Sequence, residues 1–183
     1  MRIIAGQYKG RKLIDIKGKK IRPTSDRIRE ALFSILSQKL NNAVVLDLFA
    51  GTGALGLEAL SRGAAKSIFV DKSKYAITII NKNIELLNIE NKADTVLMDA
   101  CIIQKQKTIF NQKFDLIFMD PPYDKDFIVK MFKNVNLSDM VKDESILIAE
   151  HSIRDNDFDD ILGFGLFDRR TYGRTMISFF RKN

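Results

Sequence analysis

The 183-residue chain has a single cysteine, Cys101, and a single histidine, His151. One thiol per chain excludes an internal disulfide framework and a cysteine-rich metal centre. One histidine argues against a histidine-centred mechanism, and at the end of an apolar run it reads as a strand-end residue. No apolar stretch approaches the roughly 20 residues of a membrane span. The start, Met1-Arg2-Ile3-Ile4-Ala5-Gly6-Gln7, lacks the apolar core of a secretory signal. The expectation is a cytoplasmic protein, acting as a monomer without a membrane partner. Internal repeats and low-complexity tracts are missing as well, and the length suits one domain with a substantial core. Only three prolines occur, and two of them, Pro121 and Pro122, are adjacent.

Charge is plentiful but unevenly placed. Residues 1–30 hold ten Lys/Arg against three Asp/Glu, whereas the remainder holds 20 of each, so the net charge of +7 lies in the first sixth of the chain. A basic arm over residues 1–24, ahead of a core over 25–183, implies a polyanionic partner, because neutralising phosphates with Lys and Arg releases condensed counterions.

Arg2 to Ala5 and Arg11 to Ile16, with Gly6 and Gly10 between them, suggest a short hairpin in this arm, followed by a turn at Gly18-Lys19-Lys20. Next, Ile28, Ala31, Leu32, Ile35 and Leu36 have helical spacing, with Thr24 or Ser25 available as a cap. From Val44 onward, short apolar runs alternate with helical stretches. Strands are expected at Val44–Phe49, Ser67–Val70, Thr95–Met98, Phe114–Met119 and Ser145–Ala149. Helices are expected at Gly53–Ser61, Lys74–Leu87, Ile102–Phe110 and Phe127–Val135. Such a series of βα units is an α/β fold, a doubly wound and mostly parallel sheet with helices on both faces. Leu162–Phe167 and Thr175–Arg181, joined at Tyr172-Gly173, suit a closing antiparallel pair.

The first strand leads into Asp47-Leu48-Phe49-Ala50-Gly51-Thr52-Gly53-Ala54-Leu55-Gly56, so glycines 51, 53 and 56 have G-x-G-x-x-G spacing at a strand-to-helix turn. This arrangement lets a nucleoside approach the backbone at a helix N-terminus. Asp71, twenty residues after Gly51, is placed to accept from ribose hydroxyls. Both a nicotinamide dinucleotide and S-adenosylmethionine satisfy these features. Asp47 favours the latter, since it would attract a methionine ammonium and repel a pyrophosphate. Asp99, after the third strand, could accept from an adenine amine, although capping would also explain it. Phe49, Ala50, Gly51, Thr52 and Gly53, with Lys72 beside Asp71 and Ala100 beside Asp99, complete the expected cofactor contacts.

Asp120-Pro121-Pro122-Tyr123 follows the apolar run Phe114–Met119. Two successive prolines stiffen the backbone and remove two N–H donors, leaving carbonyl oxygens and the Asp120 carboxylate as acceptors. An exocyclic amine of a nucleobase presents matching donors. Holding its hydrogens favours the tetrahedral, nucleophilic form of the nitrogen, and Tyr123 could stack on the base. Asp47, Asp71, Asp99 and Asp120 all fall at carboxyl ends of strands, where open parallel sheets bind ligands.

On these segments the chain resembles the class I methyltransferases, and within them the bacterial RsmD family. The similarity spans nearly the whole chain: Arg2 to Gly6 with Gly10 to Leu13, Arg22-Pro23-Thr24-Ser25-Asp26-Arg27, Asp47 to Gly56 continuing into Leu60 to Ala64, Asp120 to Tyr123, and Tyr172-Gly173. The resemblance implies a Rossmann-like, seven-stranded sheet with an antiparallel C-terminal strand and S-adenosylmethionine as cofactor. It also implies methylation of N2 of guanine 966 in 16S rRNA, within a partly assembled small ribosomal subunit. Asp71 stands where many relatives carry the longer Glu. Lys9, Arg11, Lys12, Arg22, Thr24 and Arg27 are the expected RNA contacts, and no metal is called for. Two other functions use the same features: a DNA adenine-N6 methyltransferase, and a non-catalytic RNA-binding assembly factor that retains the fold.

Overall fold

A computed structural model describes residues 1–16, 26–106, 112–121, 128, 131, 137–154, 160–161 and 163–183. Its centre is one sheet built from β1 (Val44–Leu48), β2 (Lys66–Asp71), β3 (Ala93–Leu97), β4 (Phe114–Met119), β5 (Val141–Ser152), β6 (Asp160–Ile161), β7 (Phe164–Tyr172) and β8 (Thr175–Lys182). The spatial order is β3-β2-β1-β4-β5-β8-β7-β6. The first five strands are mutually parallel, and β8, β7 and β6 continue the sheet antiparallel. This is the expected seven-stranded arrangement with a two-residue β6 added at the edge. The sequence order reverses direction between β1 and β4, which opens a crevice at the carboxyl ends of the strands.

Uninterrupted apolar runs form the central strands because both of their faces are covered. Val45, Leu116, Phe118, Ile146 and Ile148 join one core with α1 (Asp26–Ile35), α2 (Ala54–Ser61) and α3 (Lys74–Leu87). Leu46, Leu48, Ile117, Met119, Leu147 and Ala149 join a second core on the opposite face, with Ile103, Ile128 and Met131. Successive strand residues alternate between these two layers. By that alternation Asp47, Asp71 and Glu150 lie on the face covered by the three helices.

Several boundaries differ from the sequence-based expectations for identifiable reasons. β5 begins at Val141 rather than Ser145, since the exposed Lys142, Asp143 and Glu144 conceal a strand whose pairing with β4 is irregular between Phe114 and Leu116. β7 extends to Tyr172 through Asp168-Arg169-Arg170, where polar side chains occupy backbone paired with β8. The helix expected at Ile102–Phe110 is replaced over Ala100–Lys105 by a 3₁₀ stretch that breaks helical geometry at Ile102. Residues 107–110 lie outside the described residues. Of the helix expected at Phe127–Val135, Ile128 and Met131 are described; both are helical and buried. The turn at Gly18-Lys19-Lys20 and the caps Thr24 and Ser25 also lie outside.

The expected N-terminal hairpin exists in reduced form. Arg2 and Lys12 form an antiparallel bridge, with Ile3 N–H donating to Arg11 O (3.0 Å) and Gly10 N–H to Ile3 O (3.0 Å). It is bound tightly to the core. Ile3 and Leu13 are buried, and the fully buried Glu58 accepts from Ile4 N–H (2.8 Å) and Ala5 N–H (3.0 Å) while pairing with Arg62 at 2.7 Å. Ser61 accepts from Tyr8 N–H through Oγ (3.0 Å), and its carbonyl accepts from Gln7 N–H (2.7 Å). Gly6 meets this turn so closely that a Cβ would lie 1.9 Å from Ser61 O, and its φ of +84° adds a second reason for glycine.

α2 is buried over Leu55–Ser61, wedged between the arm and the sheet. Gly56 permits that approach, since a Cβ there would lie 2.3 Å from Phe69 Cε1 and 2.5 Å from Ser67 Oγ. Gly56→Ala should therefore destabilise the fold by about 1–3 kcal/mol through overpacking. Urea unfolding checks this, and an unchanged midpoint would contradict so close a helix–strand contact.

Candidate active site

The loop between β1 and α2 reverses sharply. Phe49, Gly51 and Gly53 have φ of +62°, +57° and +79°; for Phe49 this left-handed conformation costs about 1–2 kcal/mol. Two carboxylates hold the loop. The buried Asp47 accepts from Gly56 N–H through Oδ2 (2.9 Å). Asp71, at the end of β2, accepts from Gly51 N–H through Oδ2 (2.9 Å) and from Ser73 N–H through Oδ1 (2.8 Å). Both expected cofactor acids thus also brace the loop. Asp99 accepts from Cys101 N–H (2.9 Å) and caps the 3₁₀ stretch that begins at the buried Ala100. Lys72 is exposed next to Asp71, and Ala50 is buried, its N–H donating to Val70 O (3.0 Å).

Asp120 lies immediately past β4, half-buried, and is followed by the buried Pro121. Pro122 and Tyr123, the rest of the expected acceptor loop, lie outside the described residues. Glu150, which the sequence reading passed over, is buried in β5. The last β4–β5 register pair is Met119↔Ala149, so Asp120 and Glu150 come next on adjacent parallel strands. Burial, followed by the charges of Glu150 and Asp47, holds the Asp120 carboxyl well above the usual carboxylate range. Glu150 was detectable by the rule that found Asp120, since each is an acid directly after an apolar run. His151 points into the other layer, with Nε2 2.8 Å from Ser178 Oγ and Nδ1 3.0 Å from Ser152 O, a structural position as expected.

On the arm, Lys9, Arg11, Lys12 and Arg27 are exposed, and Arg11 Nη2 reaches Leu86 O at 3.4 Å. Arg22 and Thr24 lie outside the described residues. A residue missed in the sequence, the fully buried Asn83 of α3, joins this arm to the loop. Its Oδ1 accepts from Ile14 N–H (2.7 Å), while its Nδ2 donates to Ile14 O (3.1 Å) and Thr52 O (3.2 Å). Thr52 Oγ1 in turn contacts Met1 Sδ at 3.7 Å. A polar residue among Ile79, Ile80, Ile84 and Leu87 on the buried face of α3 was the available signal.

These residues fit S-adenosylmethionine. The outer side of Gly51 is open, since a Cβ there would meet only Phe49 O at 3.8 Å. Asp47 is a buried carboxyl without a cation beside it among the described ion pairs. Its pKa is pushed up to about 8, by burial first and by the charge of Asp71 after it, against the opposing hydrogen bond from Gly56. A positively charged ligand would restore its ionised form. In the ligand-free protein Asp47 takes up a proton on folding between the unfolded carboxyl's value near ~4 and about 8. Stability should fall as pH rises through that window. Asp47→Asn should flatten the fall; an equally steep decline of the urea midpoint from pH 5 to 8 in the variant would assign it to another group.

Comparison with known proteins agrees with the geometry. The family model described as Conserved hypothetical protein 95 matches residues 1–181. YlbH of Bacillus subtilis is 33% identical over 183 residues, covering 100% of this chain and 99% of that protein. Ribosomal RNA small subunit methyltransferase D of Escherichia coli K12 is 35% identical over 153 residues, covering 84% of this chain and 75% of the relative. The solved structure of Escherichia coli yhhF superposes with a TM-score of 0.85 at 30% identity, covering 100% of this chain and 98% of that one. The chain therefore belongs to the RsmD family, and with it to the S-adenosylmethionine-dependent methyltransferases of the class I fold.

Proposed function

We propose that the protein methylates the exocyclic N2 amine of a guanine in 16S ribosomal RNA, guanine 966 by family resemblance, on a partly assembled small subunit. The observation that carries this reading is Asp120 with Pro121 at the end of β4, beside the acid-braced loop after β1. The small-subunit methyltransferase names of its relatives support RNA as the substrate. The exposed Lys9, Arg11, Lys12 and Arg27 supply phosphate contacts.

Asp47, Asp71 and the Phe49–Gly53 loop would hold the cofactor, with Asp99 and Ala100 available to its adenine. When bound, it supplies an electrophilic methyl group. Asp120 accepts a hydrogen bond from the target amine and so localises the nitrogen lone pair. As the carbon–nitrogen bond forms and the carbon–sulfur bond breaks, the amine sheds one proton. The raised affinity of Asp120 for protons suits it to receive that proton. The guanine must leave its stack to reach this position.

Mass spectrometry of rRNA nucleosides should show N2-methylguanosine lost at one 16S position when the gene is deleted and restored by the wild-type chain. Labelled methyl appearing in plasmid DNA but not in rRNA would favour the DNA adenine enzyme. Normal methylation with impaired subunit assembly in an Asp120→Ala strain would favour the assembly factor. With purified protein, Asp120→Ala should lower kcat by about 10²-fold or more and change cofactor affinity less than Asp47→Ala does. Because burial, Glu150 and Asp47 raise the Asp120 pKa, and only the ionised form can both accept from the amine and take up the proton it sheds, wild-type methyl transfer should rise with pH from the acid side. A flat profile would exclude ionised Asp120 from the reaction. Charge reversal at Lys9, Arg11 and Lys12 should flatten the salt dependence of RNA binding; an unchanged slope would remove the arm from the interface.

A further inference from the structure

Asp120 does not face the amine site alone. β4 and β5 are parallel neighbours whose last register pair is Met119↔Ala149. Adjacent strands are about 4.8 Å apart, and side chains in register share a face. Glu150 stays within β5, on the face that bears Ile146 and Ile148, and its backbone is fixed from the other side by pairing with Ile177 of β8. A rigid sheet thus presents a second carboxylate beside the one that holds the amine. Glu150 is close enough that its charge raises the Asp120 carboxyl further above the usual carboxylate range, after burial.

Glu150 is 8% exposed and Asp120 half-buried, so a base entering here meets two acidic groups at once. Nucleobases differ in what lies next to the exocyclic amine. Beside its N2 amine guanine carries N1–H, a second donor. Adenine and cytosine carry a ring nitrogen acceptor, N1 and N3 respectively, next to theirs. A carboxylate at that point hydrogen-bonds to guanine and repels the lone pair of the other two.

We propose that Glu150 is a specificity-determining residue that accepts from N1–H of the target guanine while Asp120 holds the N2 amine, so that the two acids on neighbouring strands together select guanine over other amine-bearing bases. This inference rests on the function proposed above, in taking a nucleobase amine as the methyl acceptor, and supplies a physical reason for guanine that family resemblance alone does not. Substrate rejection through an unpaired polar group in a buried site is stronger than rejection by shape.

The test uses small subunits reconstituted with 16S rRNA carrying guanine, 2-aminopurine or adenine at the methylated nucleotide. 2-Aminopurine keeps the 2-amine but has an acceptor in place of N1–H. The wild-type protein should methylate guanine with a kcat/KM about 10²-fold above that for 2-aminopurine. Glu150→Gln, whose amide can donate to an unprotonated N1, should shrink that ratio to less than about 10-fold while leaving cofactor affinity unchanged. Equal wild-type use of the two bases would overturn the inference without any variant. A ratio preserved in a folded Glu150→Gln protein would also overturn it, with methylation of the guanine substrate still supporting the proposed function. Transfer to adenine in place of guanine would take down both.

Discussion

The loop after β1 is suspended between two carboxylates, and the site depends on that suspension. Asp47 holds Gly56 on its far side and Asp71 holds Gly51 at its apex. Between them Phe49, Gly51 and Gly53 all adopt left-handed backbone. Such a conformation does not persist on local preference alone; it needs external hydrogen bonds that over-determine it. An ionised carboxylate offers about four lone-pair sites, so each acid can fix the backbone and still face a ligand. Under the proposed function, bracing and recognition would therefore fall to the same residues.

The sheet explains why the acids meet. Strands β2, β1, β4 and β5 are consecutive neighbours, and alternation sends Asp47, Asp71 and Glu150 to the face that α1, α2 and α3 cover. Asp120 follows where β4 leaves the sheet. Burial first, and like charge after it, makes these carboxyls costly to ionise without a ligand, which raises the pKa of Asp47 and of Asp120. The unfavourable term becomes useful when the cofactor is a cation and the substrate an amine, since both relieve it. Stability of the empty protein and affinity for its ligands are set against each other through the same side chains.

Much of this was legible in the sequence because the relevant signals are local. The G-x-G-x-x-G spacing, an acid at a strand end and two adjacent prolines each need only a few consecutive residues. The helix expected at Lys74–Leu87 coincides with α3, whose start Ser73 caps and whose end Asn88 closes in left-handed conformation. What escaped notice depends on residues far apart in the chain. Glu58 and Ser61 look like surface positions of a short helix until the arm folds over them. The exposed charges of Lys142–Glu144 and the half-buried to exposed charges of Asp168–Arg170 hid strand residues whose backbone is paired although their side chains are polar. Glu150 was missed for a different reason, since its strand-end context was visible but the run before it carried no conspicuous motif.

The arm is the least conventional part, because its charge suggested an appendage and its contacts make it part of the core. Met1, Ile4, Ala5, Gln7, Tyr8 and Ile14 are each bonded or packed to α2, α3 or the loop through Glu58, Ser61, Asn83 and Thr52. The exposed Lys9, Arg11 and Lys12 project from this fixed ribbon. Asn83 bonds with the same amide group to the arm at Ile14 and to the loop at Thr52, so the backbone that bears the basic charges and the glycine loop proposed to hold the cofactor share one buried anchor. Displacing either would leave a polar group unsatisfied in the core, which is more costly than losing a surface contact. Under the proposed function, RNA seated on the arm would be held in a fixed relation to the cofactor loop, and the register between the target base and the methyl group would follow from the packing of the domain itself.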